Sequence, residues 1–327
     1  MNTNNFLFIS APFDKKNLDG AQIYDAKLFR ALKSNNLAIE HLPIERTRKL
    51  SLPSWSNGYF GIQFRKKLLE ALSEGSGVII SHEAFIGLAH DLPTTAVIIH
   101  NYMPCFSFPE QRWLEAYYRL GSKNYFKKAF LNASSVIFLS HRDRHHALLD
   151  FPDIADRSFV LPPAPNKVHI HPRRLDIIHV SGSNNWLPKR LSSLNEAEVS
   201  YIQSSGYELS DFGTSPSPAF GLITDRFSVG FKLKLMQMIY LGDVIASFSD
   251  ISDEIAAIEP NYPFWRQFQT VKQAVEWFDF LKKSEKFSGL DTKLSHLNRK
   301  YNAIEWGQTG AHFLEILTKK NATTNFR

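Results

Sequence analysis

Short runs of consecutive apolar residues alternate along this chain with longer stretches whose apolar positions recur every three or four residues. The run at 6–9 predicts a buried strand. The stretch 21–33 predicts a helix with Ile23, Leu28, Phe29 and Leu32 on its apolar side. The same reading predicts strands at 38–42, 78–80, 96–100 and 136–139, helices at 61–72 and 110–131, and a polar helix start at His141. Strands that are apolar along their whole length, separated by helices, imply a parallel sheet covered on both faces.

The pattern breaks at Leu161-Pro162-Pro163-Ala164-Pro165, and the polar run that follows to Arg174 predicts an interdomain linker. The alternation then restarts. A strand is predicted at 176–180, ending in Ser181-Gly182-Ser183, with helices at 187–203 and 231–241 and a strand at 244–246. Helices at 271–282, 292–302 and 303–317 close the chain, and the polar tail after Lys319 is expected to fray. The expectation is an α/β protein of two doubly wound units. In such sheets ligands bind beyond the carboxyl ends of the strands. The loops at 10–20, 81–83, 100–104, 140, 181–189 and 224–230 would then border a cleft.

Length and composition agree with two units. The chain has 327 residues, about two domains' worth. With 43% hydrophobic and 21% charged residues, it is not a disordered chain. One cysteine, Cys105, excludes a disulfide framework and any cysteine-based zinc cluster. The net charge of +6 favours anionic partners, but no motif supports nucleic acid. No leader and no apolar run long enough to span a membrane is present, so a cytoplasmic protein is expected.

Four constellations carry chemistry. Gly230 precedes a predicted helix with Lys232 and Lys234 at its start. Lysines are disfavoured there by the helix dipole, so a fixed anion such as a diphosphate would explain them, as would a solvated basic helix end. Ser181 and Gly182 end a strand, with Lys189 and Arg190 placed to reach a phosphate; an ordinary strand–helix loop reads the same way. Asp19-Gly20 closes the first strand–helix loop, where a glycine permits close approach. His100-Asn101 ends a buried strand, either facing the cleft or hydrogen-bonded to backbone. His141 and His145, four apart beside Arg142 and Arg144, read as surface residues. The basic runs at 45–49 and 65–67 read as solvated faces or as attraction to an anionic membrane.

The order of these motifs resembles the GT-B glycosyltransferases, in particular glycosyltransferase family 4. The matching residues are Asp19-Gly20-Ala21, His100-Asn101, Val136-Ile137-Phe138-Leu139-Ser140, Val160-Leu161-Pro162-Pro163, Gly182 with Trp186-Leu187-Pro188, and Gly230, Lys232, Lys234, Gln237 and Gly242-Asp243-Val244-Ile245-Ala246. The resemblance implies a first Rossmann-like domain over 1–165 on the acceptor side and a reduced second one over 173–303 on the donor side. A helix over 304–320 crosses back to the first. It implies His100 and Lys234 as catalytic residues, and Gly20, Ser181, Gly182, Lys189, Gly230, Lys232 and Gln237 as donor-binding residues. It also implies transfer from a nucleotide-diphosphate sugar to a glycan or lipid-linked hydroxyl, with retention and without metal or separate cofactor, in bacterial-type polysaccharide or glycolipid synthesis. Localisation would be cytoplasmic, extending to the inner face of the membrane.

Two departures stand out. The family's two glutamates fall at Val229 and Gln237, and the stretch 206–225 is too short for the usual strands and helices. The alternative is therefore a degenerate protein on this fold that binds a nucleotide sugar or glycan without turnover.

Overall fold

The computed structural model describes residues 5–13, 18, 20–44, 77–90, 92, 94–106, 112–164, 172–181, 193–211, 217–226, 231–284, 297 and 305–324. The predicted helices at 61–72 and 292–302, both basic runs and part of the linker lie outside them.

Six parallel strands form the first sheet: β1 (Phe6–Ser10), β2 (Ile39–Pro43), β3 (Gly77–Ser81), β4 (Thr94–Ile99), β5 (Ala133–Phe138) and β6 (Ser158–Val160), in the order β2-β1-β3-β4-β5-β6. Ile80 of β3 lies in register with Ile9 of β1 and Val97 of β4. Side chains of a strand alternate between faces. Ile9, Ile80, Val97 and Phe138 therefore pack on one face against Tyr125, Phe126 and Phe130 of α2 (Arg112–Asn132). On the other face Phe8, Ile79, Ile98 and Ile137 pack against Tyr24, Leu28 and Leu32 of α1 (Gly20–Ser34). Burial on both faces is why these strands read as unbroken apolar runs. At the edge, β2 is only half-buried and mixes polar with apolar residues.

Two residues past α1 stands Asn36, whose φ of 63° is left-handed. The Leu37 N–H reaches back to the Leu32 carbonyl, closing a Schellman turn. A helix α3 (His141–Asp150) follows β5, capped by the Ser140 hydroxyl, which accepts from the Asp143 N–H.

The second sheet holds β7 (Ile177–Ser181), β8 (Glu208–Asp211), β9 (Phe220–Ile223), β10 (Val244–Ser247) and β11 (Trp265–Gln267), all parallel, in the order β11-β10-β9-β7-β8. Its helices are α4 (Glu196–Ser204), α5 (Leu233–Leu241), α6 (Ser252–Ile258) and α7 (Val271–Lys283). In chain order both sheets share one arrangement: the second strand lies outside the first, and the third returns on the first strand's other side. Each has its topological switch point there, β1/β3 and β7/β9. β8 and β9 are joined by residues 212–219 alone, shorter than the dozen or so residues of a helical crossover.

Sequence pattern missed β6, β8, β9 and β11, each only three or four residues long. Of the helix predicted at 187–203, residues 187–192 lie outside the described residues; after them, a capping box between Asn195 and Glu198 starts α4 at Glu196. The last helix, α8 (Trp306–Thr324), continues past Lys319 in a tail expected to fray.

α8 packs on the first sheet's helix α1. Phe313, Ile316 and Leu317 join the core of Phe8, Leu28 and Leu32. A Cβ on Gly310 would come within 3.0 Å of Ala31 atoms, so the two helices approach closely through that glycine. Arg142 of α3 and Glu254 of α6 link the two sheets' helices, 3.6 Å apart. Phe231 packs against the cores of both sheets.

Candidate functional site at the carboxyl edges of the two sheets

The carboxyl edge of the first sheet gathers three buried polar side chains from three elements. His100 follows β4 directly, Ser81 ends β3, and Asp25 projects from the second turn of α1. The Ser81 hydroxyl donates to Asp25 Oδ1 at 2.5 Å and lies 3.0 Å from His100 Nε2. That Nε2 is also 3.2 Å from Asp25 Oδ1. The serine's single proton goes to the carboxylate, so Nε2 must carry its own hydrogen and donate it. Asp25 Oδ2 is buried without a hydrogen-bond partner among the described residues. The Tyr24 ring stands edge-on to the imidazole at 5.0 Å, and Trp306 of α8 stands edge-on to Tyr24 at 5.5 Å. The returning helix thus buttresses the histidine through one aromatic ring.

Around this cluster the loops are cross-tied. His82 takes a left-handed φ of 79°, uncommon for a residue with a side chain. Its Nδ1 accepts from the Ala84 N–H at 3.0 Å, and its ring lies 5.2 Å from that of His100. Glu83, buried, accepts from the Asn101 side-chain amide at 2.8 Å. Asp143 of α3 accepts from the Tyr102 N–H at 3.1 Å, and the Cys105 thiol lies 3.6 Å from its other oxygen. Burial pushes the Asp143 carboxyl up to about 7, against the pull of that backbone hydrogen bond and of Arg142. Burial likewise pushes the Cys105 thiol up, beside Asp143.

The facing edge belongs to α5. Its first turn contains no acidic residue, and its cap residue, Lys232, makes no side-chain hydrogen bond to it. The helix therefore starts at Leu233, two residues later than the sequence pattern placed it. Lys232 instead turns into a buried ion pair with Asp225 beyond β9, at 3.0 Å. Lys234 lies half-buried in the first turn and Gln237 half-buried in the next. A Cβ placed on Gly20, the first residue of α1, would lie 3.4 Å from Leu233 Cδ1. The amino ends of α1 and α5, neither with a carboxylate in its first turn, therefore meet. Helix amino ends offer unpaired N–H groups and partial positive charge. Together with Lys234 this is a place for an anion.

The paired 2-1-3-4-5 sheets and the returning C-terminal helix have solved counterparts. A sucrose-phosphate synthase from Thermosynechococcus elongatus superposes with a TM-score of 0.64 at 12% identity, covering 98% of this chain and 100% of that one. Anabaena HepE, solved in complex with UDP and glucose, gives 0.60 at 10% identity over 97% and 100% of the two chains. WaaG, a glycosyltransferase involved in lipopolysaccharide biosynthesis, gives 0.58 at 10% over 96% and 99%. The fold is GT-B. The sequence matches no family model and no curated protein.

Of the expected site residues, the GT-B frame brings His100, Gly20, Lys232, Lys234 and Gln237 to the two facing edges, and Ser181 closes β7 beside Ile223. Gly182, Lys189, Gly230 and Val229 lie outside the described residues. Asp25 was not anticipated at all. Its signal was present: a carboxylate on the apolar side of a helix, three and seven residues before Leu28 and Leu32. Among the described residues, no group of three His, Cys, Asp or Glu side chains is placed to hold a metal ion.

Proposed function

We propose that this chain transfers a sugar from a nucleotide-diphosphate sugar to a hydroxyl acceptor. The observation that carries the reading is the meeting of the α1 and α5 amino ends, free of first-turn carboxylates, with Lys234 in the first turn of α5. Breaking the bond between the sugar and the diphosphate puts negative charge on the leaving oxygen. Preorganised N–H groups and a lysine stabilise that charge without reorganising at the moment of reaction. Lys234, in the first turn of α5, takes this role; Lys232 is paired with Asp225. Gly20 leaves room for the diphosphate at the start of α1. His100, held by Asp25 and Ser81, orients the donor sugar. Gln237 hydrogen-bonds the nucleoside, more weakly than a carboxylate would. Ser181, with Gly182, Lys189 and Gly230, completes the donor pocket. Retention of configuration, independence of metal and a glycan or lipid-linked acceptor belong to the same reading.

The second reading, binding without turnover, is favoured by one specific feature: valine and glutamine stand at 229 and 237, where the resembled family carries glutamates. Thermal unfolding with a panel of nucleoside diphosphates tests the shared part. A ligand at 100 times its Kd adds about 2.7 kcal/mol of stability. Release of nucleoside diphosphate from a nucleotide sugar then separates the two readings. Stabilisation by no member of the panel overturns the transfer reading and leaves, of the second, only binding of a glycan.

A further inference from the structure

Beyond β9 the chain runs Thr224-Asp225-Arg226, on the carboxyl edge of the second sheet beside its β7/β9 switch point. The two charged residues there have partners within the protein. Arg226 lies 3.6 Å from Glu198 of α4 and 5.1 Å from the centre of the Phe248 ring. Asp225 Oδ2 holds the Lys232 ammonium at 3.0 Å, with 4% of the aspartate side chain and 8% of the lysine side chain exposed. Lys232 is the cap residue of α5. The buried carboxylate is therefore no farther from that helix start than one extended lysine and a hydrogen bond.

A carboxylate is an odd neighbour for a place that suits an anion. Stability does not account for it, because a buried ion pair seldom improves on apolar residues of the same volume. Its electrostatic effect is definite. The start of α5 carries Lys232 and Lys234, and Asp225 cancels the charge of one of them. The two diphosphates that would visit this edge also differ in charge. In a nucleotide sugar both phosphates are esterified. In the released nucleoside diphosphate the terminal phosphate ionises a second time near pH 6, so it carries about one more negative charge at neutral pH. Each positive charge added to the site therefore favours product over donor.

We propose that Asp225 is a specificity-determining residue: by holding Lys232 it lets the site bind the nucleotide sugar and release the more highly charged nucleoside diphosphate. This inference rests on the sugar-transfer reading of the same edge. Asp225 does not touch the substrate in this role; it acts through Lys232 and through its own charge. A unit charge about 8 Å from another, at an effective dielectric of about 20, changes binding by about thirtyfold. Salt reduces that to roughly tenfold.

The test is calorimetry of the full chain with UDP and UDP-glucose, ADP and ADP-glucose, and GDP and GDP-mannose, at low and high salt. Asp225→Asn should tighten binding of both members of the pair that wild type accepts, the free diphosphate roughly tenfold more than its sugar ester. K232M leaves the carboxylate uncompensated and should weaken both, again with the larger factor for the free diphosphate. D225N/K232M should return to near wild-type affinity, and high salt should shrink every difference. Equal tightening of the two ligands in D225N, or none, overturns the proposal. So does a D225N/K232M protein as weak as K232M, since Lys232 would then be a ligand contact itself. If D225N fails to fold, as its melting curve shows, the comparison of K232M with D225N/K232M decides alone. Failure of both wild type and D225N to bind any of the six ligands removes the nucleotide-sugar reading, and this inference with it; wild-type binding with an unaltered D225N removes the inference alone.

Discussion

His100 Nε2 lies 3.2 Å from Asp25 Oδ1, with both side chains buried and Ser81 bonded to each. The pair joins the end of a central strand to the first helix, and it determines which imidazole nitrogen carries the hydrogen. In His100→Ala, Ser81 loses its imidazole partner and Asp25 the ring nitrogen beside it. The expected loss is about 1–3 kcal/mol in urea or thermal unfolding. If His100 also orients the donor sugar, turnover falls while affinity for free nucleoside diphosphate stays within a few-fold of wild type. Unchanged turnover in a folded His100→Ala protein would leave it a packing residue.

Lys234→Ala is expected to keep the melting temperature, because the side chain is half-exposed in the first turn of α5. Its removal takes one preorganised cation from the leaving diphosphate, which costs about 10² to 10³ in rate. Nucleoside diphosphate affinity should fall as well, in contrast to His100→Ala. Steady-state kinetics and calorimetry on the same two variants read this contrast directly.

Gly20 separates two effects. A methyl group there meets Leu233 at an ordinary contact distance. Gly20→Ala should therefore be near neutral for stability. Gly20→Leu must push against Leu233 and part the two helix starts. It should weaken nucleoside diphosphate binding much more than it lowers the melting temperature. Wild-type affinity in Gly20→Leu would remove this residue from the donor site.

Asp143 makes stability depend on pH in a stated direction. Its carboxyl is raised from 3.8 to about 7 in the fold. Between those values the folded state holds the proton more firmly than the unfolded chain. This contribution is therefore fully present below the unfolded value, declines as pH rises, and is gone above the folded one. Asp143→Asn keeps an acceptor for the Tyr102 N–H without the buried charge. Compared with wild type, it should gain stability on going from about pH 5 to about pH 8 in parallel urea melts. A constant difference between the two proteins across that range would contradict the shift.

The first sheet was legible because its central strands are buried on both faces, so burial wrote continuous apolar runs at 6–9, 96–99 and 136–139. The Gly242 turn was legible for a similar reason: a left-handed φ of 83° after α5 calls for glycine. The short strands β8, β9 and β11 were not, since three or four residues carry too little pattern to separate strand from loop; their partners across the sheet decide them. The site divides the same way. His100 and Lys234 stood out by position, one at a strand end and one at a helix start, which are local facts. Lys232 looked like its twin, yet the fold turned it to Asp225, seven residues back across the loop from β9. Asp25 and Ser81 are 56 residues apart, and their hydrogen bond exists only because β1, β3 and α1 pack together. Local pattern sets which segments bury their side chains, because burial is paid residue by residue. Which polar groups end as partners depends on tertiary packing, because hydrogen bonds require distances that only the folded chain provides.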